Sequence, residues 1–417
     1  MNSDREGPLP PKSWIAASKL HAKEVSKRNG GEQWQQGSNN NKKQKETSRS
    51  SLKLESTSRS ENKAKHHGKR KHVLLGTDNF DDILEEDILY IDKTMFIKEW
   101  MEKGDEVSVF LRPRRFGKST NLSMLRSFFS FGAESQDFSE FLIGQETEFM
   151  DEHCGKYPVV MMNMKDIGGD NWEQMLDDLW AMLKDVMISQ ASYLDKEDIQ
   201  YIGINFCNAT PKPHETIAKR FLLDLTSCLH KKFRKRVIVL IDEYDAPLNH
   251  AFQNGFFDRA SEFFGFFYSN GLKSNVALER ACLIGIVEMG GTGIISRVNN
   301  MVLYSSESEQ YSHYFGFTKE EITAILEDDK EKIQEVMEWY NGYYIGSSQV
   351  INPWSFMSYF KKGIVKSYWV QTASPDSICK TINPVLSMKL IKVLVQLYEG
   401  NNYEIGELST TVKFGSP

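Results

Sequence analysis

Short unbroken apolar runs alternate along this chain with longer stretches whose apolar positions recur every three or four residues. The runs are Val107–Leu111, Pro158–Met164, Arg236–Ile241 and Ala281–Val287, with Met301–Ser305 a fifth. Apolar runs of this length, bounded by polar turns, predict strands buried on both faces. Helical spacing marks Asp92–Lys103, the stretch ending near Phe129, Asn171–Gln190, His214–Lys232 and Phe256–Leu272. Strands alternating with helices predict an α/β fold, a mostly parallel sheet flanked by helices. From Thr318 the pattern becomes helical, with a β-like interruption at Tyr343–Ile351. That predicts a smaller, mainly helical, winged-helix-like lid domain at 313–417, cut short at its end, after a main domain at 73–312.

Composition changes the picture mainly at the start of the chain. The 417 residues are 40% apolar and 26% charged, with a mean hydropathy of −0.46. No apolar run approaches the roughly 18 residues of a membrane helix. The opening MNSDREGPLPPKSW has no basic-then-apolar leader. The expectation is an intracellular protein, cytoplasmic or nuclear, with no membrane contact. Cys154, Cys207, Cys228, Cys282 and Cys379 are scattered, and none pair at zinc-knuckle spacing, which suits reduced thiols. The sequons at Asn121 and Asn208 are then chance matches. Residues 1–72 carry 17 Lys+Arg against 7 Asp+Glu, a net +10, which leaves −16 on residues 73–417. The first segment is also poor in apolar residues, so a disordered basic tail is expected. Its densest patch, Lys63–His72, reads either as a solvated linker or as a phosphate-backbone contact for nucleic acid. The acidic remainder argues against a broad nucleic-acid surface.

The strongest local chemistry is Arg112-Pro-Arg-Arg-Phe-Gly-Lys-Ser119. It follows a predicted strand and opens a predicted helix, the setting of a phosphate-binding P-loop. Gly117 would let the backbone approach a phosphate. Lys118 would bridge the β- and γ-phosphates, and the Ser119 hydroxyl would ligate Mg²⁺. Helix N-terminal amides, with Thr120 beside them, would complete the anion cradle. Arg112 stands where the usual first glycine would be; with Arg114 and Arg115 it adds candidate phosphate contacts.

The partner element is Arg236-Val-Ile-Val-Leu-Ile-Asp-Glu-Tyr-Asp245, an apolar strand ending in carboxylates. It reads as a Walker B element. Asp242 would hold hydrated Mg²⁺, through its waters or beside Ser119, and Glu243 would polarise the attacking water. Asp245 and Pro247 would shape the turn that follows. Guanine recognition normally uses Asn-Lys-x-Asp after this strand; the look-alike Asp195-Lys-Glu-Asp198 lies before it. ATP is therefore the expected nucleotide.

The ordered series of motifs resembles the AAA-ATPase-like family of P-loop proteins, often fused in bacteria to a PD-(D/E)XK nuclease-like domain. The resemblance rests on Tyr90–Ile97, Arg112–Thr120, Val237–Leu248, Arg297–Ser305, Phe315–Ile322, Trp339–Gly346 and Val350–Phe360, covering roughly residues 74–375. It implies an extra strand between the P-loop and Walker B strands, a catalytic glutamate after the Walker B aspartate, and ATP binding with hydrolysis expected. Two departures stand out. The family's basic residues after the fourth strand are replaced here by Gly-Ile-Val-Glu-Met-Gly-Gly-Thr-Gly, with Glu288 and Gly291 at those places. The nuclease-like region is expected to be missing, so no nuclease activity carries over.

Three functional classes follow: a Mg²⁺-dependent ATPase, a nucleotide-binding switch or scaffold with little turnover, and a mobile-element-related DNA-associated protein using its basic tail. Protein partners are not legible. The aromatic series Phe256, Phe257, Phe263, Phe264, Phe266, Phe267 and Tyr268 could stack on bases, but its helical spacing favours a core face. Trp339, Tyr340, Tyr343 and Trp354 are expected in the core of the smaller domain. Asp92 reads as a helix cap or, with Lys93, as a nucleotide contact. Residues 1–72 should be dispensable for folding. Limited proteolysis is expected to leave a core beginning between Lys71 and Asp82; a tail that resists protease would contradict this.

Overall fold

A computed structural model describes residues 73–368 except 74, 86–87, 133–135, 205–212 and 289–296. The expectations for residues 1–72, for Cys207, Cys379, Asn208 and Gly291, and for the chain beyond 368 lie outside the described residues.

In chain order the elements are α1 (Phe80–Glu85), α2 (Met95–Glu102), β1 (Val107–Leu111), α3 (Lys118–Phe129), α4 (Thr147–His153) and β2 (Val159–Asn163). There follow α5 (Trp172–Ser189), α6 (Lys196–Ile202), α7 (Glu215–Phe233), β3 (Val237–Asp242), α8 (Ala246–Asn254), α9 (Phe257–Leu272), β4 (Leu278–Gly285) and β5 (Met301–Tyr304). The described chain ends with β6 (Phe317–Thr318), α10 (Lys319–Ile325), α11 (Lys330–Tyr340), β7 (Tyr343–Ile345), β8 (Ser348–Ile351) and α12 (Pro353–Lys362). The five predicted strands form one parallel sheet in the order β2-β3-β4-β1-β5. This is an α/β, P-loop NTPase-like fold, and β4 lies between β1 and β3.

Both faces of the sheet are covered, which is why its inner strands read as unbroken apolar runs. Val107, Val109, Ile241 and Leu283 pack with α5, α7 and α9. Phe110, Ile238, Leu240 and Ile284 pack with α1, α2 and α3. The aromatic series falls on the core side as its spacing favours: Phe263, Phe264, Phe267 and Tyr268 are buried, and Phe266 lies outside under the Arg297 guanidinium. Helix boundaries follow local chemistry. Asn171 caps α5 by accepting from the Gln174 amide, and Asp195 with Asp198 closes a reciprocal capping box on α6. Asp195–Asp198 is therefore a helix start.

The second sheet is antiparallel, in the order β6-β8-β7, with α10 and α11 between β6 and β7. Ile322, Val336, Tyr340, Phe356 and Tyr359 of α10, α11 and α12 form a third apolar cluster with Ile351 of β8, while Ile345 and Val350 of the same sheet join the cluster of α1, α2 and α3. Tyr340 is the member of the expected aromatic set that belongs to the third cluster as a buried residue. Trp339 is 52% exposed. Trp354 packs against the third cluster as expected, partly buried, and also meets Arg115 of the loop after β1. Tyr343 packs instead with Phe116 of that loop, a contact that helical spacing does not reveal.

Helices α7 and α9 approach closely at Gly271. A Cβ there would lie 2.5 Å from Leu222 Cδ2, 2.7 Å from its Cγ and 2.8 Å from its Cβ. The Leu222 stem cannot swing away as a side-chain tip could, so steric cost exceeds the roughly 1 kcal/mol of helix propensity that alanine gains over glycine. Gly271→Ala should lower stability by about 1–3 kcal/mol, the range for overpacked cores, measured by urea denaturation.

Candidate functional site

Parallel register sets the C-terminal ends of the inner strands level. Leu111 pairs with Gly285, and Asp242 with Ile284. In open parallel sheets this edge is where ligands gather. Two turns leave it side by side: residues 112–117 into α3, and residues 243–245 into α8.

The first turn carries two left-handed residues, Arg115 (φ 69°) and Gly117 (φ 76°). A Cβ on Gly117 would meet nothing within 4 Å, so glycine is needed there for its backbone conformation. Helix α3 begins at once, and the Asn121 amide is bonded back to Gly117 O at 2.9 Å. Helix geometry leaves the amides of Lys118, Ser119 and Thr120 without intrahelical acceptors. Lys118 is buried and its Nζ donates to Pro113 O at 3.0 Å. Burial lowers its pKa, while Glu243, Asp242 and Asp245 pull the other way.

The second turn meets the first through one hydrogen bond. Ser119 Oγ donates to Asp242 Oδ2 at 2.6 Å. The other oxygen, Oδ1, accepts the Glu243 amide at 2.9 Å. Asp242 is buried, and burial raises its pKa; Ser119, Lys118 and the Glu243 amide oppose the rise, and the charge of Asp78 adds to it. Glu243 takes φ 48°, a left-handed conformation that costs about 1–2 kcal/mol for a residue with a Cβ. Its pKa is raised by burial first and by Asp242 second. Asp245, also buried, accepts Ile286 N at 3.1 Å and Val287 N at 2.9 Å through Oδ2, so it ties this turn to the end of β4.

The structure brings Gly117, Lys118, Ser119, Thr120, Asp242 and Glu243 together. Arg114 is exposed on the loop, and its charge acts on both Lys118 and Glu243. Arg115, also exposed, places its guanidinium 4.6 Å from the centroid of the Trp354 ring. Arg112, expected in the phosphate cradle, points elsewhere. It is 1% exposed, and its Nη1 donates to Leu111 O, Tyr304 O and Ser305 O at 2.7–2.8 Å. Burial lowers its pKa to about 10, so it stays charged at neutral pH. Nη1 has two hydrogens to share among these three carbonyls, and Nε and Nη2 are buried with no hydrogen-bond partner among the described residues, so charge-assisted bonds of roughly 1.5–3 kcal/mol each only partly offset a desolvation penalty of several kcal/mol. The guanidinium thus holds the ends of β1 and β5 together rather than facing the turn. Lys93 is also turned away, its Nζ bonded to His313 O and Glu321 Oε1. Asp92 accepts from the Thr94 amide and hydroxyl through Oδ1 and from the Leu142 amide through Oδ2 at 2.7 Å, so it braces the start of α2 against the segment before α4.

Sequence reasoning missed a second ring of contacts. Phe116 stacks edge-on against Tyr343 at 4.8 Å, and Asn352 Nδ2 reaches Arg114 O at 3.4 Å. Asn121, buried, donates to Tyr314 O at 3.0 Å. Trp354 also lies beside Gly76, where an added Cβ would be 3.9 Å from its Cζ3. The available signal was Asn352-Pro353, a cap followed by an N1 proline, which fixes where α12 starts but not what it faces.

A family model described as a predicted AAA-ATPase matches residues 74–295. The chain belongs to this family. The match spans both turns of the site and the five-stranded sheet up to β4, and it supports a nucleotide-binding, ATPase-like function. A curated protein of Azotobacter chroococcum mcd 1, known as an uncharacterized protein in the vnfD 5' region, is 25% identical over 347 residues. The similarity covers 82% of this chain and 62% of that protein, so the chain spans less than two thirds of that relative's length. Among the described residues no helix is long and apolar enough to cross a membrane, and no group of three or more His, Cys, Asp or Glu is placed to hold a metal ion.

The raised pKa of Glu243 has a measurable sign. A carboxyl whose folded pKa exceeds its unfolded value binds its proton more tightly when folded. Its contribution is then lost as pH rises, and above the folded pKa the ionised group is a net cost. Glu243→Gln removes that cost. It should raise the melting temperature of the nucleotide-free protein at pH 7, and the gain should vanish below the ordinary glutamate value of 4.5.

Proposed function

We propose that the chain is a Mg²⁺-dependent ATPase. The observation that carries the reading is the 2.6 Å bond from Ser119 Oγ to Asp242 Oδ2, which joins a phosphate-loop hydroxyl to a strand-end carboxylate across an intervening strand. The residues fit a hydrated Mg²⁺. A P-loop ion takes one protein hydroxyl, phosphate oxygens and water, so no three-carboxylate cluster is needed, and the burial-raised pKa of Asp242 is what an adjacent cation would offset. When bound, the ion would neutralise charge on the β- and γ-phosphates. Ser119 and Asp242 would hold it. Lys118, the amides of residues 118–120, Arg114 and Arg115 would hold the triphosphate. Glu243 would accept the proton of the water whose oxygen attacks the γ-phosphorus, as the bond to the β-phosphate oxygen breaks and ADP leaves. Arg112 is assigned as a brace. We also take residues 73–312 as the nucleotide-binding domain and 313–417 as a winged-helix-like lid, which the apolar cluster on α10, α11 and α12 and the β6-β8-β7 order support.

A switch with little turnover is the second reading. It draws on Glu288, acidic at a place just after β4 where the family carries basic residues. The DNA-associated reading rests on residues 1–72, outside the described residues.

Lys118→Ala should abolish ATP binding in calorimetry. Glu243→Gln should bind ATP with Mg²⁺ and lose turnover by roughly 10²–10⁴-fold, the range for a general base. Wild type that binds ATP without turnover, unchanged by Glu243→Gln, would replace the ATPase by the switch. Wild type that binds no nucleotide would end both readings.

A further inference from the structure

The loop anchors phosphates, but a nucleotide extends beyond them to a flat base that needs an apolar plane. Trp354 is placed to supply it. It is partly buried on the first turn of α12, where it packs against the C-terminal apolar cluster. Arg115, from the phosphate loop, lies 4.6 Å from its ring centroid. Gly76 approaches its ring closely enough for an added Cβ to sit 3.9 Å from Cζ3. Asn352, two residues earlier, reaches Arg114 O. The indole therefore flanks the same loop that presents Gly117 and Lys118, and an arginine of that loop covers one of its faces.

Resting on the nucleotide-binding reading, we propose that Trp354 stacks on the purine base of ATP and that Arg115 is its placeholder. An exposed cation–π contact is worth about 0.5–1 kcal/mol. Base–aromatic stacking is worth about 1–3 kcal/mol, and a charge-assisted bond from guanidinium to phosphate about 1.5–3 kcal/mol. When ATP enters, Arg115 exchanges the ring for a phosphate, and the base takes the face it leaves. Both exchanges favour the bound state. Arg115 starts from a left-handed backbone (φ 69°) on the exposed surface, and among the described residues its guanidinium meets the Trp354 ring and no carboxylate.

The test compares two probes on the full chain, ATP and inorganic tripolyphosphate, by calorimetry in the presence of Mg²⁺. Trp354→Ala should weaken ATP binding by about tenfold, within the stacking range, and leave tripolyphosphate binding unweakened or up to about fivefold tighter, because Arg115 no longer gives up a cation–π contact of about 0.5–1 kcal/mol to reach the phosphates. Retained tripolyphosphate binding shows that the variant has folded. Trp354→Phe, which keeps an aromatic plane, should recover most of the ATP affinity. Equal losses for both probes would make Trp354 a brace of the loop and overturn the proposal, as would unchanged ATP affinity. Wild type that binds tripolyphosphate as tightly as ATP would overturn the base site while leaving the phosphate cradle standing. Wild type that binds neither would overturn the nucleotide-binding reading and this proposal with it.

Discussion

One hydrogen bond, Ser119 Oγ to Asp242 Oδ2, holds the two halves of the site together, and it depends on β4. Strands β1 and β3 are not neighbours; each pairs with β4 in parallel. A one-residue slip of either ladder would turn every side chain of that strand to the opposite face, and with it Asp242 away from α3. The register is held because both faces are buried: Phe110 and Ile238 belong to one apolar cluster, Val109 and Val239 to the other. Core packing on two sides thus fixes the position of a polar contact at the edge.

That edge concentrates charge that burial disfavours. Lys118 has its pKa lowered, and Asp242, Glu243 and Asp245 have theirs raised, with burial the leading cause in each. The groups partly offset each other, and bonds to Pro113 O and to the amides of Glu243, Ile286 and Val287 do the rest. Such a cluster is costly in the free protein and is relieved by groups of complementary charge, the arrangement expected where binding energy is to be used. The left-handed Glu243 belongs to the same pattern, strain kept at the site by well-packed surroundings.

The loop after β1 is also held from the C-terminal side. Phe116 meets Tyr343, Asn352 meets Arg114 O, and Arg115 meets Trp354, so three successive loop residues touch β7 or the start of α12. Arg112, just before them, secures the base of the loop to the end of β5. A displacement of the β6-β8-β7 sheet would be felt directly by the residues proposed to hold phosphates. This is a mechanical link between the two sheets, built from side chains rather than from a shared strand.

By itself the sequence determined the alternation of elements and the two chemical turns. Buried parallel strands must be apolar throughout, helices must repeat their apolar positions, and a left-handed turn before a helix calls for a residue such as Gly117. These are local demands, so Val107–Leu111, Asn171–Gln190 and Gly117-Lys118-Ser119 could be read one stretch at a time. The insertion of β4 between β1 and β3 was legible only through resemblance, because pairing partners leave no mark on a buried apolar run. Only the tertiary structure decided which of three adjacent arginines turns inward, and which aromatics of the C-terminal part face the loop. Arg112, Arg114 and Arg115 look alike in the chain; the open carbonyls at the ends of β1 and β5 took the first and left the others outside. Trp339, Tyr343 and Trp354 are equally apolar on paper, yet Trp339 is left exposed while Tyr343 and Trp354 meet Phe116 and Arg115, residues more than two hundred positions away.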